Sequence, residues 1–88
     1  MKNLAEFKKA LSLGSEWETF HYFANKSMGT RKVDHVQSNA VTFTMPDGRS
    51  SWLYFPKASD CRFDPDDPNV VTIMEDGLQL LRYTRIIS

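Results

Sequence analysis

The chain has 88 residues, a length that fits one domain with a small hydrophobic core. Basic and acidic side chains number 11 each, so the formal net charge is zero. This balance argues against a duplex-binding protein with a broad positive field and against an acidic mimic of nucleic acid. The single cysteine, Cys61, excludes an internal disulfide framework and is typical of a reducing compartment.

The first residues do not resemble a signal peptide, and no apolar run approaches the roughly 20 residues that span a bilayer. The sequence contains no internal repeat and no stretch with the composition of a linker. We therefore expect a single domain over residues 1–88, soluble, cytoplasmic and without membrane contact.

The first predicted element is a helix over about residues 4–12. Asn3 is a favourable N-cap residue, and Phe7 and Leu11 recur at a helical interval on one face. Gly14 supplies a C-terminal stop. The apolar stripe predicts a helix that packs on a sheet.

The next segment, residues 15–28, is compatible with two structures. Its first half is dense in aromatic residues and threonine, which suit a β-strand. A capping-box spacing at its start favours a helix instead, with Trp17 and Phe20 on one face. We favour a strand over residues 16–23 with a loop that runs to Gly29, and the sequence leaves the helix open.

A strand is predicted at residues 30–38, and a β-hairpin follows at residues 41–55. The hairpin turn lies at Pro46–Arg49, where proline fixes φ and Gly48 permits a positive φ.

The second arm of this hairpin, residues 51–55, is apolar on both faces. Leu53 lies on one face, while Trp52 and Tyr54 lie on the other. Such a strand is expected in the middle of the structure, with the Trp52 and Tyr54 face either covered by another element or offered to a partner.

Residues 57–69 are rich in aspartate and proline and are predicted to form a solvated loop. A second hairpin follows, with strands at residues 70–74 and 78–87 and an Asp76-Gly77 bend. The predicted fold is α+β: an N-terminal helix packed on a five- to six-stranded antiparallel sheet, which short strands of this kind can curl into a small half-open barrel.

The sequence offers little for catalysis or metal binding. His21, His35 and Cys61 are the soft metal ligands, and no two lie at the short separations of a zinc site. The acidic residues 60–69 lack the glycine and the closing glutamate of a calcium loop, although an ion there is left open. We therefore expect no catalytic residues, no cofactor and no metal site, and a protein that is not an enzyme.

Aromatic and basic side chains interleaved on the predicted strands suggest a binding surface. A stacking platform of this composition is typical of small β-barrels that bind single-stranded nucleic acid. The alternative is that Trp52 and Tyr54 form a second core layer against the helix or Trp17. The candidate binding residues are Arg49, Trp52, Tyr54, Lys57, Tyr83 and Arg85.

Several segments carry a resemblance to known proteins. They are Met28–Arg31 with Val33, Val36–Ala40, Asp47–Arg49 leading into Ser51–Leu53, Pro56–Ala58, and the closing Leu81 and Tyr83. Across most of its length the chain resembles a group of small uncharacterised proteins encoded by bacteriophages and prophages. The resemblance implies a bacterial cytoplasm and a small accessory protein that acts by binding, and it assigns no functional residues.

These observations together favour a non-catalytic phage or prophage accessory protein that binds a host or phage protein through exposed aromatic residues. The alternative is a small β-barrel protein that binds single-stranded DNA or RNA with the same residues. The sequence does not indicate the identity of the partner or the oligomeric state.

Overall fold

The computed structural model describes residues 1–87, which form one helix, a short 3-10 helix and seven β-strands. In chain order the elements are α1 (Leu4–Ala10), β1 (Glu16–His21), β2 (Lys26–Val36), β3 (Ala40–Thr44), β4 (Ser50–Tyr54), the 3-10 helix (Ala58–Asp60), β5 (Cys61–Phe63), β6 (Val70–Glu75) and β7 (Leu78–Ile86).

The seven strands form one antiparallel sheet in the order β4-β3-β2-β1-β7-β6-β5. The sheet curls into a half-barrel, with β4 and β5 as its two free edges. Strand β2 is long because it serves two neighbours: residues 26–32 pair with β1, and residues 32–36 pair with β3. This offset pairing staggers the strands, as curling a sheet toward a barrel requires.

Helix α1 covers the concave face of the half-barrel. The Asn3 side chain caps the helix by accepting a hydrogen bond from the Glu6 N–H at 2.9 Å. The fully buried Phe7 ring packs against Trp17 of β1 and Tyr83 of β7, with ring centroids 5.8 and 6.2 Å away. The rest of the concave core is aliphatic and aromatic. It includes Leu11, Val33, Val41, Phe43, Leu53, Cys61, Val71 and Ile73.

Several predictions from the sequence are confirmed. The N-terminal helix is present, and the ambiguous segment forms the strand β1 with its helical alternative excluded. Both predicted hairpins form. The bend at Asp76-Gly77 has positive φ at both residues, which is the geometry that this dipeptide favours in a two-residue hairpin turn.

Three expectations were wrong in detail. The sheet has seven strands because Cys61–Phe63, within the predicted loop, pairs with β6. Strand β2 begins at Lys26, not at residue 30, because Asn25 adopts a positive φ and closes a tight turn after β1. Strand β4, expected in the middle of the structure because both of its faces are apolar, is an edge strand whose Trp52 and Tyr54 face is exposed.

Candidate functional site

The edge strand β4 presents two large aromatic side chains on the convex face of the sheet, away from helix α1. Trp52 and Tyr54 are 61% and 65% exposed, whereas Leu53 between them is buried in the concave core. Trp52 lies opposite Thr42 of β3, and Tyr54 lies opposite Ala40. No other aromatic or cationic side chain within residues 1–87 stacks on either ring. Both rings are therefore available to a partner.

The outer backbone of β4 is available as well. At the ends of the β3–β4 hairpin, the Met45 N–H donates to the Arg49 carbonyl and the Phe55 N–H donates to the Asn39 carbonyl. In an antiparallel pair, successive residues direct their backbone N–H and C=O groups alternately toward and away from the partner strand. The odd-numbered residues of β4 therefore direct these groups toward β3. The N–H and C=O groups of Ser50, Trp52 and Tyr54 therefore point away from the sheet. We call these three residues, with their outward backbone groups, the β4 edge surface.

A hydrogen-bonded carboxylate lies on the same convex face as the β4 edge surface, bonded to the intervening strand β3. The Asp34 carboxylate accepts hydrogen bonds from the Thr42 hydroxyl, at 2.5 Å, and from the Thr44 hydroxyl. The hydrogen bond from Thr42 makes the largest contribution to lowering the pKa of the Asp34 carboxyl, and the bond from Thr44 makes the next largest. The nearby His35 acts in the same direction. Asp34 therefore keeps a negative charge on the face of the sheet that carries Trp52 and Tyr54.

A shallow cleft of about 300 Å³ lies where β3 leaves the sheet at Met45 and Pro46. Glu16 and Lys32 line this cleft and form an exposed ion pair at 4.0 Å. Exposed pairs at this distance contribute little to stability, so both charges remain available to a ligand.

Four of the six predicted binding residues lie along β4 or just beyond its ends. Trp52 and Tyr54 lie on the strand, and Lys57 is exposed three residues after it. Arg49 lies in the turn before it, where its Nε donates to the Asp47 carboxylate at 2.5 Å. The guanidinium of Arg49 is thus already partly neutralised.

The structure places the other two predicted residues apart from β4. Tyr83 is 2% exposed and lies in the concave core between Phe7 and Phe43. Arg85 lies opposite Trp17, on a strand that β1, β2 and β3 separate from β4. A six-residue platform is therefore not formed, because Tyr83 packs under helix α1.

The histidines and the cysteine do not come together. His21 accepts a hydrogen bond from the Ala24 N–H at 3.2 Å, and His35 is exposed on β2. Burial and the adjacent Asp60 raise the pKa of the Cys61 thiol, which leaves it protonated and unreactive near neutral pH. Within the described part of the chain, no group of three or more histidine, cysteine, aspartate or glutamate residues could hold a metal ion.

Other aromatic residues of the convex face are covered by a basic side chain. Phe20 and Tyr22 contact edge to face at 5.3 Å between ring centroids. The guanidinium of Arg82 lies 4.9 Å from the Phe20 ring and 5.9 Å from the Tyr22 ring. Further exposed apolar side chains lie outside β4. They are Leu13, Phe23, Met28, Val36, Leu78 and Ile87.

Two features of the site were not anticipated from the sequence. The contact of Asp34 with Thr42 and Thr44 depends on a bulge in the β2–β3 pairing between Val33 and His35. The burial of Arg31 depends on its pairing opposite Trp17. Neither feature has a local sequence signal, since both arise from strand pairing.

Comparison of the chain with protein-family models, with curated proteins and with solved structures finds no match. Among residues 1–87, no helix has both the length and the apolar character needed to cross a membrane.

Proposed function

We propose that this protein is a non-catalytic accessory protein of bacteriophage or prophage origin that acts in the bacterial cytoplasm. In this proposal it binds a host or phage protein through the β4 edge surface. The observation that carries the proposal is the coincidence of two exposed aromatic rings with outward backbone donors and acceptors on one edge strand. Trp and Tyr are the residues most often found to dominate the energy of protein interfaces.

The partner would contribute an extended segment that pairs with β4 as an additional strand. In such recognition, main-chain hydrogen bonds supply affinity and the side-chain contacts supply specificity. The side chains of Trp52 and Tyr54 lie on one face of the new strand pair and would pack against alternate residues of the partner. Strand β4 contains no charged residue and no proline, which are the usual obstacles to pairing at an edge.

A second candidate is single-stranded nucleic acid, which the basic residues Arg49 and Lys57 at the ends of β4 favour. Stacking on Trp52 and Tyr54 would supply the base contacts. A protein partner is preferred because Asp47 pairs with Arg49, and the ionised Asp34 lies on the same face. Both carboxylates would repel phosphates.

The proposal is tested by affinity purification from a bacterial lysate with a Trp52→Ala/Tyr54→Ala variant. Both side chains are exposed, so the variant is expected to keep its fold, which circular dichroism checks. The matched control is Phe23→Ala/Leu78→Ala, which removes two other exposed apolar side chains outside β4. Truncation of a central interface aromatic residue costs about 2 kcal/mol, or roughly 30-fold in affinity.

We expect a protein partner that the wild type and the control retain and that the β4 variant loses. A Ser50→Pro variant removes an outward N–H at the first residue of β4 and should also weaken capture. A partner retained equally by all variants would refute the proposal. Loss of the captured material on nuclease treatment, with binding that falls steeply as salt rises, would support the nucleic-acid candidate instead.

A further inference from the structure

Arg31 is a cation buried on the concave side of the half-barrel. It lies on β2 opposite Trp17 of β1, and only 8% of the residue is exposed. Its guanidinium carbon lies 5.7 Å from the centroid of the Phe43 ring. Arginine is rarely buried to this extent unless a carboxylate or phosphate pairs with it, because removing a charge from water costs several kcal/mol.

The guanidinium has no counterion in the described chain. The two ion pairs within residues 1–87 are Lys32 with Glu16 and Arg49 with Asp47, and neither includes Arg31. One nitrogen, Nη1, donates to the Ser51 hydroxyl at 3.3 Å. The Nε atom is closed to solvent and has no hydrogen-bond partner, the one buried side-chain nitrogen or oxygen in residues 1–87 left in that state. Buried N–H groups in folded proteins nearly always have a hydrogen-bond acceptor, so the unpaired Nε–H of Arg31 requires an explanation.

Tyr83 contacts the same aromatic ring as this guanidinium: the Tyr83 and Phe43 rings stack with their centroids 6.2 Å apart. Burial raises the pKa of the Tyr83 hydroxyl, and the positive charge of Arg31 opposes that rise. Tyr83 therefore stays protonated and able to donate at neutral pH. The Arg31 guanidinium and the Ser51 hydroxyl that it contacts, with Tyr83 against the same Phe43 ring, thus lie on the concave side, and the buried residues within 1–87 include no carboxylate.

We propose that the half-barrel binds a small oxyanion, a carboxylate or a phosphate group, at Arg31, with the hydroxyls of Ser51 and Tyr83 as further donors. The planar guanidinium matches such groups in geometry as well as in charge. The oxyanion supplies both the counterion and the acceptor that Nε lacks. Because Nε is closed to solvent, entry of the anion shifts the guanidinium, so the environment of Nε changes on binding.

The test follows the Nε–H resonances of the arginines in the intact protein by ¹⁵N NMR. Sodium phosphate and sodium acetate are titrated in separate series at constant ionic strength, with sodium chloride as the balancing salt. The two series distinguish a phosphate site from a carboxylate site. Arg49, which is exposed and paired with Asp47, provides the internal reference in the same spectra.

We expect a saturable shift of the Arg31 Nε–H signal in at least one series, while Arg49 changes only in proportion to concentration. Arg31→Met should abolish the saturable response of the neighbouring amides. Tyr83→Phe, which removes only a hydroxyl, should weaken binding about five-fold, as expected for one hydrogen bond. The saturating anion should also raise the midpoint of thermal unfolding of the wild type and leave that of Arg31→Met unchanged.

A response at Arg31 that stays linear in both series, or that matches Arg49, would overturn the proposal. Saturation that persists in Arg31→Met would overturn it too. If Arg31→Met does not fold, the wild-type titration and Tyr83→Phe decide the outcome. The site is independent of the β4 edge surface, since the Ser51 side chain lies on the opposite face of β4 from Trp52 and Tyr54.

Discussion

At the scale of single residues, two threonine hydroxyls stabilise the ionised form of the exposed Asp34 carboxyl. The bonds from Thr42 and Thr44 stabilise the carboxylate and not the acid, so the pKa of Asp34 in the folded state lies below its value in the unfolded chain. This contribution to stability is complete above the unfolded-state pKa and is lost as pH falls through the folded-state pKa.

We predict that ¹³C NMR titration of the Asp34 carboxyl gives a midpoint below the usual range of aspartate. Thr42→Val and Thr44→Val should each raise that midpoint, with the larger effect from Thr42, because each variant removes one hydrogen bond to the charged form. Thr30→Val, an exposed threonine of β2 that does not bond Asp34, is the control. An unchanged midpoint in both hydroxyl variants would show that the bonds do not form in solution.

Residue identity alone could predict only part of the binding site. The alternation of side chains along a strand predicts that Leu53 lies on the opposite face from Trp52 and Tyr54, and the structure confirms this arrangement. The same rule cannot say which face receives the helix. Tyr83 looked as suitable for a surface as Tyr54, and it is buried because its face of β7 lies under Phe7.

At the scale of elements, helix α1 is held to the sheet chiefly by Phe7. The helix has seven residues, too few to be stable alone, so its stability comes from packing on the concave face. Phe7 contacts both Trp17 and Tyr83 and is fully buried, so its removal would leave a cavity in the centre of the half-barrel.

We predict that Phe7→Ala lowers the free energy of unfolding by about 3–5 kcal/mol, the usual cost of deleting a buried phenylalanine ring. Urea denaturation followed by tryptophan fluorescence measures this change, since the buried Trp17 becomes exposed on unfolding. The control is Lys9→Ala on the exposed face of the same helix, for which a change within about 0.5 kcal/mol is expected. A loss for Phe7→Ala as small as that of the control would mean that the helix is not docked in solution.

Local sequence signals predicted the elements with strong turn or cap residues and missed those that depend on pairing. The turns at Gly48 and at Asp76-Gly77 were identified because few residues adopt positive φ readily. Strand β5 was hidden among aspartates and prolines, because three residues are too few to show a period. The position of β4 at the edge is a property of sheet order, which alternation within one strand does not encode.

At the scale of the whole molecule, the half-barrel has two unequal edges. Strand β5 is three residues long, follows a 3-10 helix, carries the exposed Arg62 and is succeeded by Pro65, features that discourage further pairing. Strand β4 has five uncharged residues and none of these protections. Any strand added to this sheet should therefore join at β4 and not at β5.

Amide hydrogen exchange of the intact protein tests this asymmetry across the sheet. Amides of the interior strand β1 should all be protected, because β2 and β7 flank it on both sides. Along β4 we predict alternation: Ser51 and Leu53 protected by β3, and Ser50, Trp52 and Tyr54 exchanging with protection close to none, since their N–H groups face water. Equal protection along β4 would contradict an open edge and indicate that the strand is already paired in solution. If the alternation is present, protection gained at those same three amides on addition of a partner would locate the added strand, because no strand within residues 1–87 pairs with that edge.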